Sequence, residues 1–325
     1  MINKNNWRLT KKYLEYRSSM DQLCLGSLEQ EKVYLRYLLE WAQEKPLLKA
    51  PSFRPTFPEF LKSNRMDEVH KSLSPGYMKK VLATFRRFFS WLIDNQDGYK
   101  SVKFSWIATI KVKRLSEIPK QREAVSLEEI LVIARTQVDN LEEERIKAGA
   151  VFLFLSGMRI SAFISLPLLA VDIQSREIKQ FPNLGVRTKN GKYAITNLLP
   201  IPELLEVVEA WDKKIRAILP PEGFWFAPFS PETCEIDPSV KEIGLHRESL
   251  ARKNLTAWMK KNHLKYHSPH KFRHGHIQYG LAHSTSHADY KAVSMNVMHS
   301  SIQITDQFYS NITDEEIKRR ISSFD

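Results

Sequence analysis

Cysteine is almost missing from this chain: Cys24 and Cys234, far apart, are the only two in 325 residues. That excludes a disulfide framework or a cysteine-rich zinc site and points to a reducing cytosol. No apolar run is long enough to span a bilayer, and Met1-Ile2-Asn3-Lys4 does not open a signal peptide, so no membrane association is expected. Acidic residues are in deficit, 37 against 49 Lys and Arg, giving a net charge of +12 and a pI near 9.5. The cations are spread along the whole chain, which suits an extended polyanion such as DNA or RNA. One metal motif is incomplete as well. His270 and His274 have the spacing of a helical zinc pair, but Lys271 stands where the zinc-protease pattern needs glutamate, so no metal is expected.

What is present is apolar enough, at 42%, to build real cores, and the length favours two domains. Residues 1–110 read as a helical domain. Leu9 to Cys24 places Tyr13, Leu14, Tyr16, Met20 and Leu23 at helical spacing, and Ser27-Leu28-Glu29-Gln30 reads as a capping box opening the helix through Val33, Tyr34, Tyr37, Leu38 and Trp41. After a loop punctuated by Pro46, Pro51, Pro55 and Pro58, with a short helix at Phe57 to Leu61, Ser74-Pro75 starts a strong helix. That helix buries Met78, Val81, Leu82, Phe85, Phe88, Phe89 and Leu92 and shows Lys79, Lys80, Arg86 and Arg87 on its other face. Those cations are either simply solvated or laid along a DNA groove or backbone. Residues 111–122, basic and containing Pro119, read as an interdomain linker, and 123–325 as a second domain.

The second domain opens with a helix start at Ser126-Leu127-Glu128-Glu129. From Ala148 a nearly all-apolar helix runs to Ser156 and into Gly157, followed at once by Arg159. An arginine ending a buried element needs a partner, either an acidic side chain or a bound phosphate that fits its planar donor fork. A β section follows: Val171 to Ile178 and Gly185 to Thr188 are strand-like, Asn190-Gly191 is a hairpin-turn signal, and Tyr193 to Leu199 returns. Lys189 and Lys192 lie at the tip, either solvated or reaching into a minor groove. Helices are expected at Glu203 to Ala217 and Arg247 to Asn262, with a short strand at Phe224-Trp225-Phe226.

The last third carries His270-Lys271-Phe272-Arg273-His274, then Met298-His299-Ser300-Ser301, then Phe308-Tyr309-Ser310. Arg273 and His274 share a helix face with His270. A cation, several imidazoles and a phenol in one segment suit holding a phosphate and attacking it with an oxygen nucleophile. Taken with Ser156-Gly157-Met158-Arg159-Ile160-Ser161 and the tip lysine, this order and spacing resembles the tyrosine recombinase (phage integrase) family. The resemblance covers about Ala124 to Ile321 and extends loosely to the N-terminal bundle, which is similar to the family's core-binding domain.

The resemblance implies a mainly α fold with a small antiparallel β-sheet, a helical core-binding domain and a mixed α/β catalytic domain ending in a tail helix. It implies that Arg159 and Arg273 clamp the scissile phosphate, that Tyr309 is the nucleophile forming a 3′-phosphotyrosyl link, and that Lys189 protonates the 5′-oxygen. His270 would supply acid–base help, His299 would hydrogen-bond the phosphate, and His274 would support. No cofactor is implied. The partner would be double-stranded DNA with paired inverted-repeat sites, bound by a tetramer of chains that are monomers when free and exchange strands through a Holliday junction. The location would be the cytoplasm, on the nucleoid. A type IB topoisomerase and a non-catalytic DNA-binding descendant are the competing classes. The few residues before Trp7 lead us to expect no additional arm-binding domain.

Four positions depart from the family pattern: Ala162 replaces the usual acidic residue after Arg159, Gly275-His276 replaces small polar residues, and Met298 stands where glycine is usual. At the end of the chain, Thr313 and Glu316 fit a capping box, and Ile317, Ile321 and Phe324 form one apolar stripe. That tail docks either on a neighbouring protomer or on its own domain.

Overall fold

A computed structural model describes residues 1–63, 73–111, 123–230, 233, 235–244, 246–299 and 322. Most of the linker at 111–122, Tyr309 and the tail helix with its Thr313–Glu316 capping box lie outside the described residues. The chain divides into two compact units, Met1–Ile118 and Pro119–Asp325. No helix among the described residues is long and apolar enough to cross a membrane.

The regular elements among the described residues of the first unit are all helices: α1 (Lys4–Ser19), α2 (Leu25–Ala42), α3 (Phe57–Ser63), α4 (Pro75–Asn95) and α5 (Phe104–Thr109), with short 3-10 turns between them. Its core is aromatic, with Phe57 stacked on Phe85 at 4.4 Å and Trp41, Phe53, Phe88 and Phe89 around them. Helix α4 begins as its sequence says, with the Ser74 hydroxyl accepting from the Tyr77 amide at 3.2 Å, and all seven apolar residues assigned to its inner face are buried. Helix α2 does not begin as expected. It starts at Leu25, because the Cys24 carbonyl already accepts from the Ser27 and Leu28 amides at 2.9 and 3.0 Å. Ser27 is therefore inside the first turn, and its hydroxyl faces the Cys24 sulfur instead of capping.

The basic face of α4 is not uniform. Lys79 and Lys80 are exposed, whereas Arg87 reaches the buried carboxylate of Glu31 at 2.7 Å. Arg17 grips the same carboxylate with two hydrogen bonds, at 3.0 and 3.1 Å. A buried carboxylate between two guanidiniums joins α1, α2 and α4, so Arg87 has a structural task that Lys80 lacks. Arg87→Ala should lower stability by about 1–2 kcal/mol in urea melts. Lys80→Ala should stay within about 0.5 kcal/mol, and an equal loss from both would show that Arg87 has no such task.

The second unit is built on α7 (Leu141–Ser156), which follows α6 (Leu127–Arg135). Helix α6 opens with a true capping box: Ser126 accepts from the Glu129 amide at 3.1 Å and Glu129 accepts from the Ser126 amide at 3.0 Å. Every residue from Ala148 to Ser156 in α7 is buried, which is what an apolar surface on all sides requires. After α8 (Ile160–Phe163) comes a three-stranded antiparallel sheet in the order β1 (Val171–Asp172), β2 (Glu177–Gln180), β3 (Ala194–Asn197). Four more helices follow among the described residues: α9 (Pro202–Arg216), α10 (Arg247–Lys261), α11 (Pro269–Ala282) and α12 (His287–Asn296).

Three strand expectations are corrected. The strand-like stretch Val171–Ile178 is two strands, folded back where Asp172 accepts from the Ser175 amide at 3.0 Å and Arg176 turns at φ 59. Gly185–Thr188 is not a strand, because β2 stops at Gln180 and Pro182 has no amide proton with which to extend the ladder. Phe224-Trp225-Phe226 makes only an isolated bridge through Phe224 to Pro167, and its rings fill the core instead. The Asn190-Gly191 turn does form, at φ 60 and 62, but at the end of a long β2–β3 connection and not of a tight hairpin.

Candidate active site

The end of α7 sets the site. Gly157 caps it at φ 61, a conformation that glycine adopts without a Cβ clash. There is no room for a side chain: a Cβ at Gly157 would lie 2.7 Å from the His276 ring and 2.9 Å from Val297. Gly157→Ala should therefore cost at least the ~1–2 kcal/mol of a left-handed alanine and displace His276. A melting temperature equal to that of the wild type would show that the helix end can shift freely.

Two residues on, Arg159 is half-buried at the start of α8. Arg273, on α11, is 3% exposed. Its guanidinium donates to the Gly157 carbonyl at 2.6 Å and to the Val297 carbonyl. Arg273 thus ties together the turn before Arg159 and the turn before His299. Burial, with the Arg159 charge nearby, pulls the Arg273 guanidinium down to about 9, and burial also lowers Arg159. No carboxylate pairs with either arginine among the described residues. The acidic partner left open for Arg159 is not found there. Ala162, where the family usually has a carboxylate, is buried among apolar side chains. Two desolvated guanidiniums that feel each other's charge, with no acidic partner among the described residues, are costly. Such a pair is chemically suited to an anion that offers oxygens to a planar fork.

The remaining candidates are distributed around this pair. His270 is one turn before Arg273–His274 on α11, exposed, with its ring 4.4 Å from that of buried His274 at 73°. His299 is half-buried, its amide bonded to the Ser294 carbonyl at 3.0 Å. Met298 before it adopts φ 55, a left-handed conformation that costs glycine little. Lys189 and Lys192 are exposed on the β2–β3 connection, which is anchored where the Ser165 hydroxyl accepts from the Arg187 amide at 2.8 Å. Tyr309 lies outside the described residues. Among the described residues, no three His, Cys, Asp or Glu side chains cluster as metal ligands.

Sequence reasoning missed the roles of Gly275, His276 and Asn296. A Cβ at Gly275 would collide with the Val125 carbonyl, so glycine there lets α11 press against the start of α6. His276 is fully buried beneath Gly157, and burial is the main cause that draws its imidazole down to about 4. Its Nδ1 is 2.9 Å from the Phe154 carbonyl. A carbonyl only accepts, so Nδ1 carries a proton, and burial keeps the ring neutral. The one signal in the sequence was the departure at Gly275-His276 itself.

Residues 123–316 match the phage integrase family. The chain belongs to that family, and its class is that of the site-specific tyrosine recombinases, enzymes that cleave and rejoin DNA. Among solved structures it resembles the integrase of transposon Tn1549 in complex with transposon right end DNA, at 15% identity and TM-score 0.59, covering 100% of this chain and 99% of that one. It also resembles a lambda integrase dimer bound to a COC′ core site, at 13% identity and TM-score 0.59 over 93% and 94% of the two chains. A third is the XerH site-specific recombinase bound to its difH substrate before cleavage, at 13% identity and TM-score 0.61 over 98% and 85%. At these identities the likeness is one of fold.

Proposed function

We propose that this chain cleaves and rejoins duplex DNA at paired inverted-repeat sites through Tyr309. The phenolate oxygen attacks the scissile phosphorus, the bond from phosphorus to the 5′-oxygen breaks, and the 5′-hydroxyl leaves with a proton from Lys189. The product is a 3′-phosphotyrosyl link. Attack on it by the 5′-hydroxyl of another strand restores one phosphodiester and frees Tyr309, so bond energy is conserved. Arg159 and Arg273 hold the non-bridging oxygens and offset the charge that develops on them. His299 hydrogen-bonds the same phosphate, His270 exchanges the phenolic proton, and His274 supports His270. Lys79, Lys80, Arg86 and Lys192 contact the DNA backbone, with Arg87 shared between DNA and Glu31.

The observation that carries this reading is the pair of buried Arg273 and half-buried Arg159, with no acidic partner among the described residues. A phosphodiester supplies the missing charge. Four chains on two sites would exchange strands through a Holliday junction, on DNA of the nucleoid.

The test uses nicked duplexes tiled from the DNA flanking the gene. The wild-type chain should accumulate a covalent 3′-linked adduct on one of them. Binding without an adduct on any duplex would identify a non-catalytic binder. Relaxation of supercoiled plasmid without paired sites would identify a topoisomerase.

A further inference from the structure

We infer that Asn296 and His276 are positioning residues that clip strand β3, and with it the Lys189 connection, to the segment that carries the Arg273 anchor and His299. The inference rests on the roles proposed above for Lys189 and the arginines.

The clip is a continuous polar network that includes the buried side chains of Gln180, Thr196 and His276. The Asn296 side chain accepts from the Asn197 amide at 2.7 Å and donates to the Asn197 carbonyl at 3.0 Å. It therefore pairs with β3, an edge strand, as one more rung of a ladder would. The donating amide must face an acceptor, which fixes the orientation of the Asn296 amide. Its second N–H then points to His276 Nε2, 3.2 Å away. That nitrogen is the acceptor, because Nδ1 donates to the Phe154 carbonyl. One residue earlier on β3, the fully buried Thr196 hydroxyl donates to the Asn296 carbonyl at 2.9 Å and accepts from Gln180 at 2.6 Å.

Asn296 is the last residue of α12. The next carbonyl, that of Val297, receives Arg273, and His299 follows two residues later. Strand β3 begins five residues after Lys189. A sheet could pack on α12 through apolar contacts alone. A satisfied polar network instead admits one register. Here the register sets where the proton donor stands relative to the arginines that hold the phosphate. Loss of the clip should impair leaving-group protonation more than phosphate holding or DNA affinity.

The experiment compares Asn296→Ala and Thr196→Val in the full chain, with Lys189→Ala and Arg159→Ala as references. The substrate is the nicked duplex that gives an adduct with the wild type, made with the ordinary 5′-oxygen or with sulfur bridging at that position. A thiol, with a pKa near ~8.5, leaves without being protonated. Lys189→Ala should be rescued by sulfur and Arg159→Ala should not. Asn296→Ala and Thr196→Val should bind DNA like the wild type and cleave the oxygen substrate about 10–10²-fold more slowly, less than the ~10²–10⁴-fold of a general acid lost outright, because a displaced lysine still donates. With sulfur, both should return close to the wild-type rate. Thr196→Val keeps the side-chain shape, so it carries the test if Asn296→Ala folds poorly. The inference is overturned if both variants cleave the oxygen substrate normally, or if sulfur leaves their defects unchanged. A failure of sulfur to rescue Lys189→Ala would instead remove Lys189 as the proton donor, and the clip's proposed purpose with it.

Discussion

Replacing Tyr309 with phenylalanine should abolish the covalent adduct on a nicked duplex and leave DNA affinity nearly unchanged. The substitution removes one oxygen atom and keeps the ring. If that oxygen is the nucleophile, attack on phosphorus falls to the uncatalysed level, a loss on the order of 10⁶-fold or more. Affinity depends on many cation–phosphate contacts that the substitution does not touch. The phenol also explains the need for its surroundings. With an ordinary pKa near ~10, only about 10⁻³ of it is ionised at pH 7. In the proposed site, two guanidiniums with no acidic partner among the described residues would favour the phenolate as well as the phosphate. The measurement is a denaturing gel that separates free protein from its DNA adduct. Adduct formation by Tyr309→Phe at any rate near that of the wild type would move the nucleophile to another residue.

The parts of this molecule that were legible in its sequence are those fixed locally. The face of α4, the capping box at Ser126 and Glu129, and the buried α7 ending at Gly157 each follow from spacing within one element. The errors fell where a local signal had a competitor. Ser27 and Gln30 fit a capping box, but Cys24 takes the N-cap place. Val171 to Ile178 looks like one strand because the turn within it depends on the Asp172 side chain. The site divides in the same way. Arg159, Lys189, Arg273 and His299 could be picked out by motif, but their mutual placement could not. The bonds that place them span 116 residues from Arg273 to Gly157 and 99 from Asn296 to Asn197. Nothing in a single sequence marks the two ends of such a bond. Glu31 and Arg87, 56 residues apart, are the same case in the first unit.

Arg159 and Arg273, the proposed phosphate clamp, should respond alike in catalysis and oppositely in stability. Arg159→Met and Arg273→Met should each slow cleavage by about 10²–10³-fold, the usual cost of losing one donor to a developing oxyanion. Binding should change much less, because their contribution grows as charge builds on the phosphate oxygens in the transition state. Stability is decided by what each guanidinium does without DNA. Arg159 is half-buried, makes no side-chain hydrogen bond among the described residues and lies beside a second cation. An apolar replacement of similar length removes the desolvated charge and the repulsion, so Arg159→Met should be neutral or stabilising by about 1–4 kcal/mol. Arg273 also fastens the Gly157 and Val297 carbonyls. Its loss leaves both buried acceptors unsatisfied, at about 1–3 kcal/mol each, which outweighs the relief of burial. Arg273→Met should therefore melt below the wild type. Urea denaturation gives the stabilities, and suicide-substrate cleavage gives the rates. If Arg159→Met proved as destabilised as Arg273→Met, Arg159 would be held by a protein partner, and its guanidinium would not be waiting for a phosphate.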